Sequence, residues 1–389
     1  MPTSKIITAS ITDDAVTTAK TSGIPTLFRP NIQPLVINGD MAVAQRGTST
    51  TSNGALIDRW KVWDSTDGVI TYTTSTESPE EEGFTNSLKV ACSTADTSIA
   101  AAQYAQINYF IEGQDCQTMK YGTSSAETIT LAFWIRSKQT GTFCTNVIKA
   151  AGSGTRYEIV NEFTVSVADT WEKKIITMSP TAGSTSFITS AAGAIADSNA
   201  NGYAFSISLA VGTDYHTTNN TWVAASDKMS TSNQTNFMSS TSNEIYITGV
   251  QLEVGEYSAT NIPPFQHESY GNNLSRCQRY YQKIAEGNGK RWDLVSSART
   301  TAYVDFVFPC TVVMRTQPTL DAVSGTDYYY VYSSNGGYDK FTVPVINSNY
   351  NEGSMLVTGY YNGGSYTAGD SLFASTDNAS AYLALDAEF

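Results

Sequence analysis

The chain has 389 residues, with 36 acids against 23 bases, a formal net charge of −13 and only 15% charged residues. That length accommodates two folded domains and an arm better than one core. The acidic balance excludes nucleic acid and anionic lipid as partners, because both are held by clustered Lys and Arg, and no apolar run is long enough for membrane insertion.

Residues 1–34 are rich in Thr, Ala and Ser, with Phe28 as the only aromatic and Pro25, Pro30 and Pro34 as punctuation. Such a segment cannot build a core. Ile6, Ile7, Ile11 and Val16 find burial only against another chain, so the segment reads as an arm that orders on assembly. No stretch after Lys5 has the apolar length of a signal peptide, and a cytoplasmic site of synthesis is expected.

From residue 35 to 266 the pattern is period-two alternation broken by Gly, Asn and Ser. In residues 129–135, Ile129, Leu131, Phe133 and Ile135 share a face; in residues 86–92, Leu88, Val90 and Cys92 do. Further strands are expected at 69–74, 103–107, 157–167, 171–177, 204–210 and 244–252. Strands recurring without helices predict an all-β fold, an antiparallel jelly-roll sandwich.

Within a joining segment, 267–290, one short helix is predicted over 272–284, with Leu274, Cys277, Tyr281 and Ile284 at spacings of three and four, stopped by Gly287 and Gly289. Residues 291–389 return to strands as a small C-terminal β domain, in which 301–308 alternate and 355–360 and 381–387 pair in a small sheet. Residues 320–389 hold ten of the 23 tyrosines and one base, Lys340. Tyrosine offers a flat apolar face and a polar tip at low entropy cost, which suits surface recognition, although it is also simply a good strand residue.

Catalytic chemistry finds little support. His216 and His267 are the only histidines, neither lies in a nucleophile or zinc signature, and both read as surface residues. Glu80-Glu81-Glu82 reads as a solvated turn, although two carboxylates about 5 to 10 Å apart are all that glycoside cleavage needs. Asp40, Asp58 and Glu253 are possible calcium donors, but no spaced ligand loop accompanies them. Gly336-Gly337 and Gly363-Gly364 lack a following Lys and read as hairpin turns. Cys92, Cys116, Cys144, Cys277 and Cys310 are odd in number and widely spaced, as free core thiols are. No enzyme activity, cofactor or metal is expected.

Three blocks, Leu35-Val36-Ile37-Asn38-Gly39-Asp40-Met41, Ala44-Gln45-Arg46-Gly47-Thr48 and Asp58-Arg59-Trp60, resemble the opening of a carbohydrate-binding-like jelly roll found in tailed-phage tail fibres and receptor-binding proteins. Ile247-Thr248-Gly249-Val250-Gln251-Leu252-Glu253-Val254-Gly255, Pro264-Phe265 and Leu274-Ser275-Arg276-Cys277-Gln278-Arg279-Tyr280-Tyr281 resemble its close, over about 250 residues in all. Residues 10–20 are similar to phage-fibre stalk repeats, and Phe308-Pro309, Met314-Arg315-Thr316, Pro318-Thr319 and residues 381–389 to the small β domain that follows in such fibres.

The resemblance implies a homotrimer in the phage virion, attached to tail proteins through its N-terminal arm, with Trp60 and Trp134 in the core and Arg46, Asp58 and Arg59 tying the sandwich end. Related sugar-binding modules hold calcium with an acid after the first strand and an Asp in the last. Met41-Ala42 and Thr248-Gly249 stand near those places here, which leaves the sandwich as a scaffold and moves recognition to the tip. The implied function is adhesion to host surface polysaccharide or an outer-membrane protein. Tyr328, Tyr330, Tyr332, Tyr360 and Tyr361 are the candidate ligand-contact residues. The alternative is a purely structural tail connector, and a capsule-degrading tail spike ranks below both.

Overall fold

Alternating hydrophobicity becomes two stacked sheets in the computed structural model, which describes residues 33–150, 155–225, 227–292, 295–333, 338–346, 354–360 and 366–389. Apart from Gln33 and Pro34, the expected arm lies outside the described residues. The sandwich is built from β1 (Ser49–Thr50), β2 (Gly54–Ala55), β3 (Trp60–Asp64), β4 (Val69–Ser75), β5 (Ser87–Thr94) and β6 (Tyr104–Glu112). It continues with β7 (Ile129–Ser137), β8 (Gly141–Lys149), β9 (Tyr157–Val165), β10 (Glu172–Met178), β11 (Asn201–Val211) and β12 (Glu244–Val254). One sheet has the order β1-β4-β5-β12-β7-β10 and the other β2-β3-β6-β11-β8-β9. The ladders are antiparallel, giving the expected all-β jelly-roll sandwich.

Side-chain alternation decides which residues fill the space between the sheets. Ile129, Leu131, Phe133 and Ile135 of β7 are all buried in one continuous core, where Phe133 meets Phe163 of the opposite sheet edge-on at 5.3 Å. Each such side chain contributes on the order of 2–3 kcal/mol by leaving water. Trp134 corrects the sequence reading: its neighbours Phe133 and Ile135 take the inward face, so period two turns it outward, half-buried, with Thr248 and Lys173 beside it in the ladder. Trp60 does lie in the core. Glu80, Glu81 and Glu82 form an exposed 3-10 turn closed by Gly83 at φ 87°, as expected of a solvated turn.

The helix is shorter than its periodicity predicts. α1 (Tyr270–Gln278) is capped by Ser269, whose hydroxyl accepts from the Asn272 amide at 3.4 Å, and ends in a turn at Arg279-Tyr280. The residues that follow form β13 (Tyr281–Glu286). The helical stripe is thereby divided: Leu274 and Cys277 pack with Ile37, Val43, Tyr280 and Phe389, whereas Ile284 joins the C-terminal core. Tyr281 pairs with Asp386 at the edge of a sheet, and that long-range ladder overrides local helical spacing.

Beyond β13 come β14 (Val295–Ala298), β15 (Tyr303–Pro309), β16 (Thr319–Ala322), β17 (Tyr329–Ser333) and β18 (Tyr338–Phe341). They are followed by β19 (Val345–Ile346), β20 (Ser354–Tyr360), β21 (Leu372–Thr376) and β22 (Tyr382–Asp386). The strands expected at 355–360 and 381–387 do pair in small sheets, but in different ones: β20 pairs with β15 and β19, while β22 lies between β13 and β16. The third sheet is β18-β17-β21. A separate core of Trp292, Val304, Phe306, Tyr329, Phe341, Leu372 and Leu385 holds these sheets together. Gly336-Gly337 and Gly363-Gly364, expected as hairpin turns, lie outside the described residues. The five cysteines are free, with Cys310 half-buried and the others buried.

Candidate functional site

The sequence blocks that carry the resemblance converge on one place, the joint between sandwich and C-terminal domain. Asn38, in the left-handed conformation that Asn tolerates, donates from Nδ2 to the carbonyls of Val43 and Asp58 at 2.9 and 3.0 Å. Its own carbonyl accepts from Trp60 Nε1 at 2.9 Å. Gly39 is packed so closely that a Cβ there would stand 2.2 Å from the Val250 carbonyl oxygen, which locks the opening block to the closing one.

Charge follows the same convergence. Asp58 accepts from Gln45 Nε2 at 2.5 Å and pairs with Arg46 at 3.4 Å; Arg46 reaches on to Asp386 at 3.3 Å and lies 3.6 Å over the Tyr281 ring. Arg59 donates to Glu388 at 2.5 Å and to the Phe110 carbonyl at 2.5 Å, with its guanidinium 3.4 Å over Tyr280. Glu112 accepts both Arg279 nitrogens, at 2.8 and 2.7 Å, and the Tyr280 hydroxyl at 2.6 Å. Burial pushes the Asp58 carboxyl up to about 6, against the pull of Arg46 and Gln45. Burial would raise Glu388 too, but Arg59, Arg46 and Lys61 hold it below its usual value. Arg46, Asp58 and Arg59 therefore tie the sandwich end, as their sequence positions led us to expect. Of the acids considered for calcium, Asp58 is engaged as described and Asp40 accepts from Asn273 at 3.1 Å. Among the described residues no three His, Cys, Asp or Glu groups stand close enough to hold a metal.

The outer face of the β2-β3-β6-β11-β8-β9 sheet carries polar side chains, but chain crosses much of it. Ser208 Oγ donates to the Met229 carbonyl at 2.7 Å, Asn146 Nδ2 donates to the Lys228 carbonyl, and Glu158 accepts the Asp227 and Lys228 amides at 3.1 and 2.5 Å. Gln106, Asn108, Asn146, Glu158, Ser206 and Ser208 are consequently all buried. Trp63, 36% exposed beside Phe110 at 5.7 Å, stands at the uncovered margin. His216 is half-buried with Nε2 3.3 Å from the Val211 carbonyl, and His267 is exposed against Phe84 and Phe265.

The tyrosines singled out from the sequence fall in different places. Tyr330 and Tyr332 lie two apart on β17 and so project from the same face, with ring centres 5.8 Å apart. Tyr332 also meets Phe373 of the adjacent β21 at 5.2 Å, and the Arg291 guanidinium sits 3.9 Å over Phe373. Lys340, paired across from Tyr330, bridges to Asp377 at 2.5 Å. The result is a continuous row of three half-buried rings edged by charge. Tyr328 instead packs against the domain core. Tyr360 ends β20, with its side chain outside what is described, and Tyr361 lies outside the described residues. Sequence reasoning missed Phe373 and Arg291, since each reaches the row only through long-range pairing.

These features define an all-β protein with an aromatic row on its C-terminal domain. No family model matches the chain, and no curated protein matches it. Similar solved structures include the enzymatically active domain of bacteriophage CBA120 tailspike protein 4, 13% identical over 57% of this chain with a TM-score of 0.30. The match covers 21% of that tailspike chain. A family 11 carbohydrate-binding module from Clostridium thermocellum is 11% identical over 54% of this chain and 96% of its own, with a TM-score of 0.27. The tandem CBM22 domain of Paenibacillus barcinonensis Xyn10C is 9% identical over 92% and 98%, with a TM-score of 0.28. At these values the likeness carries no argument about ligand or activity.

Proposed function

We propose that this chain is a receptor-binding subunit of a tailed-phage fibre, a trimeric adhesin that grips host-surface glycan with the aromatic row of its C-terminal domain. The observation that carries the reading is the Tyr330-Tyr332-Phe373 row, capped by Arg291 on an outward sheet face. Flat rings at this spacing offer apolar faces to sugar rings. The acidic, Ser- and Thr-rich chain favours a neutral ligand over an anionic one. Membership of a phage tail is supported by the sequence blocks quoted above. Trimer formation is supported by the outer face of β15 and β19, where Tyr303, Val307 and Val345 are 39%, 40% and 57% exposed. Three copies raise avidity without stronger individual sites.

A structural connector is the second reading, favoured by the signature residues being spent on the joint and by the chain laid over the sandwich face. Binding of the purified full-length chain to host cells, with Tyr330→Ala and Tyr332→Ala compared, tests the proposal. Undiminished binding by both variants removes the aromatic row. Absence of cell binding by the wild-type chain, with labelling at the proximal end of the virion tail, favours the connector; release of oligosaccharide from host polysaccharide would favour a tail spike.

A further inference from the structure

A cleft of about 420 Å³ separates the β1–β2 connection of the sandwich from the β13-β22-β16 sheet of the C-terminal domain. One wall carries Ser49, Thr50, Ser52 and Asn53, and the other Lys283, Asp321, Tyr382 and Asp386, with Arg46 between them. Its volume falls within the range that holds small ligands. Two domains supply it, so it exists only while the joint is closed.

The charged groups in this cleft are already engaged. Asp321 accepts the hydroxyls of Tyr281 and Tyr382 at 3.0 and 2.8 Å. Arg46 is shared between Asp58 and Asp386, and Lys283 pairs with Glu286 at 2.9 Å. A phosphate or uronate would have to compete with carboxylates for every cation, and a cation would meet Arg46 and Lys283. Asn53 is tied to the Asp64 backbone, at 2.9 Å through Nδ2 and 2.8 Å through Oδ1, so the remaining wall groups are the hydroxyls of Ser49, Thr50 and Ser52, which both donate and accept, beside the partly exposed ring of Tyr382. Such walls match a ligand that is uncharged and rich in hydroxyls. We infer that this interdomain cleft is a second glycan site, separate from the aromatic row, that takes one or two units of a neutral saccharide. It rests on the glycan-binding reading of the chain but uses none of the row's residues.

The test is saturation-transfer NMR on the full-length chain with methyl glucoside, methyl galactoside and N-acetylglucosamine, and with glucuronate and inorganic phosphate as competitors. Ser49→Trp and Ser52→Trp plug the cleft from exposed rim positions and serve as independent variants, each checked by its thermal transition. In the Tyr332→Ala chain, where the aromatic row is silenced, the expected result is transfer to at least one neutral sugar, weakened about tenfold or more in Kd when either plug is added. In that Tyr332→Ala background, transfer that survives both plugs, no transfer to any neutral sugar, or displacement by glucuronate or phosphate overturns the inference. Complete loss of transfer in Tyr332→Ala alone refutes the cleft and leaves the aromatic row standing; complete loss in either plug alone, with Tyr332 intact, leaves the cleft and removes the row.

Discussion

Arg59 and Glu388 stand 329 residues apart in the chain yet meet at 2.5 Å, with side chains 1% and 4% exposed. The pair joins the edge of the sandwich to the last turn of the C-terminal domain.

Truncating one member strands the other. Glu388→Ala leaves the Arg59 guanidinium buried over Tyr280 with its strongest partner gone. A loss of about 3–5 kcal/mol is expected, because an unpaired buried charge retains its full desolvation cost. Denaturant unfolding measures it, and a loss under about 1 kcal/mol would show that the pair does not hold the joint.

The joint also has a pH signature. Burial pushes the Asp58 carboxyl up to about 6 from the ordinary 3.8, so the folded state binds more protons between those values. Its contribution is complete below the unfolded pKa and is lost as pH rises through the folded one. The stability of wild type relative to Asp58→Asn should therefore shrink by about 1–3 kcal/mol from pH 4 to pH 7. Parallel unfolding curves for the two proteins across that range would contradict this.

Gly39 is constrained by space alone. Gly39→Ala drives a Cβ toward the Val250 carbonyl oxygen, a backbone atom that cannot swing away. The expected cost is about 1–3 kcal/mol, read as a lower thermal midpoint. An unchanged midpoint would mean that the opening and closing blocks do not lock here.

On the aromatic row, Tyr332 contacts both Tyr330 and Phe373 and should matter most. Tyr332→Ala is expected to weaken single-site glycan affinity about tenfold, with little change in stability, by isothermal titration against host polysaccharide fragments. Equal affinity would move recognition elsewhere.

If the outer face of β15 and β19 is the trimer contact, a charge at its most exposed valine should open it. Val345→Lys is expected to shift sedimentation from trimer to monomer while leaving the circular dichroism spectrum intact. A persistent trimer would place the contact on another face.

The strands of the sandwich could be read directly, because burial on one face writes itself into every second residue, as at Ile129, Leu131, Phe133 and Ile135. The same rule turns Trp134 outward, between inward Phe133 and Ile135, whereas the resemblance implied a core residue. The helix was legible as far as Cys277; Tyr281 fits helical spacing equally well, and only its partner Asp386 decides for a strand. Local pattern says nothing about a partner 105 residues away. For the same reason the C-terminal domain was legible as β but not as three sheets. Tyr330 and Tyr332 were visible through the tyrosine-rich composition of the C-terminal domain, whereas Phe373 and Arg291 were not. Arg46, Asp58 and Arg59 were recognisable as ties, while Asp386 and Glu388, which they bind, offered no local cue.

The clasp of Arg46, Arg59 and Glu112 on residues from beyond the sandwich bears on mechanics. Buried ion pairs, stacked rings and shared carbonyls leave the two bodies little room to pivot. A tug on the distal rings is then delivered along the molecule as through a stiff lever, and the first element to yield under load should lie outside this clasp.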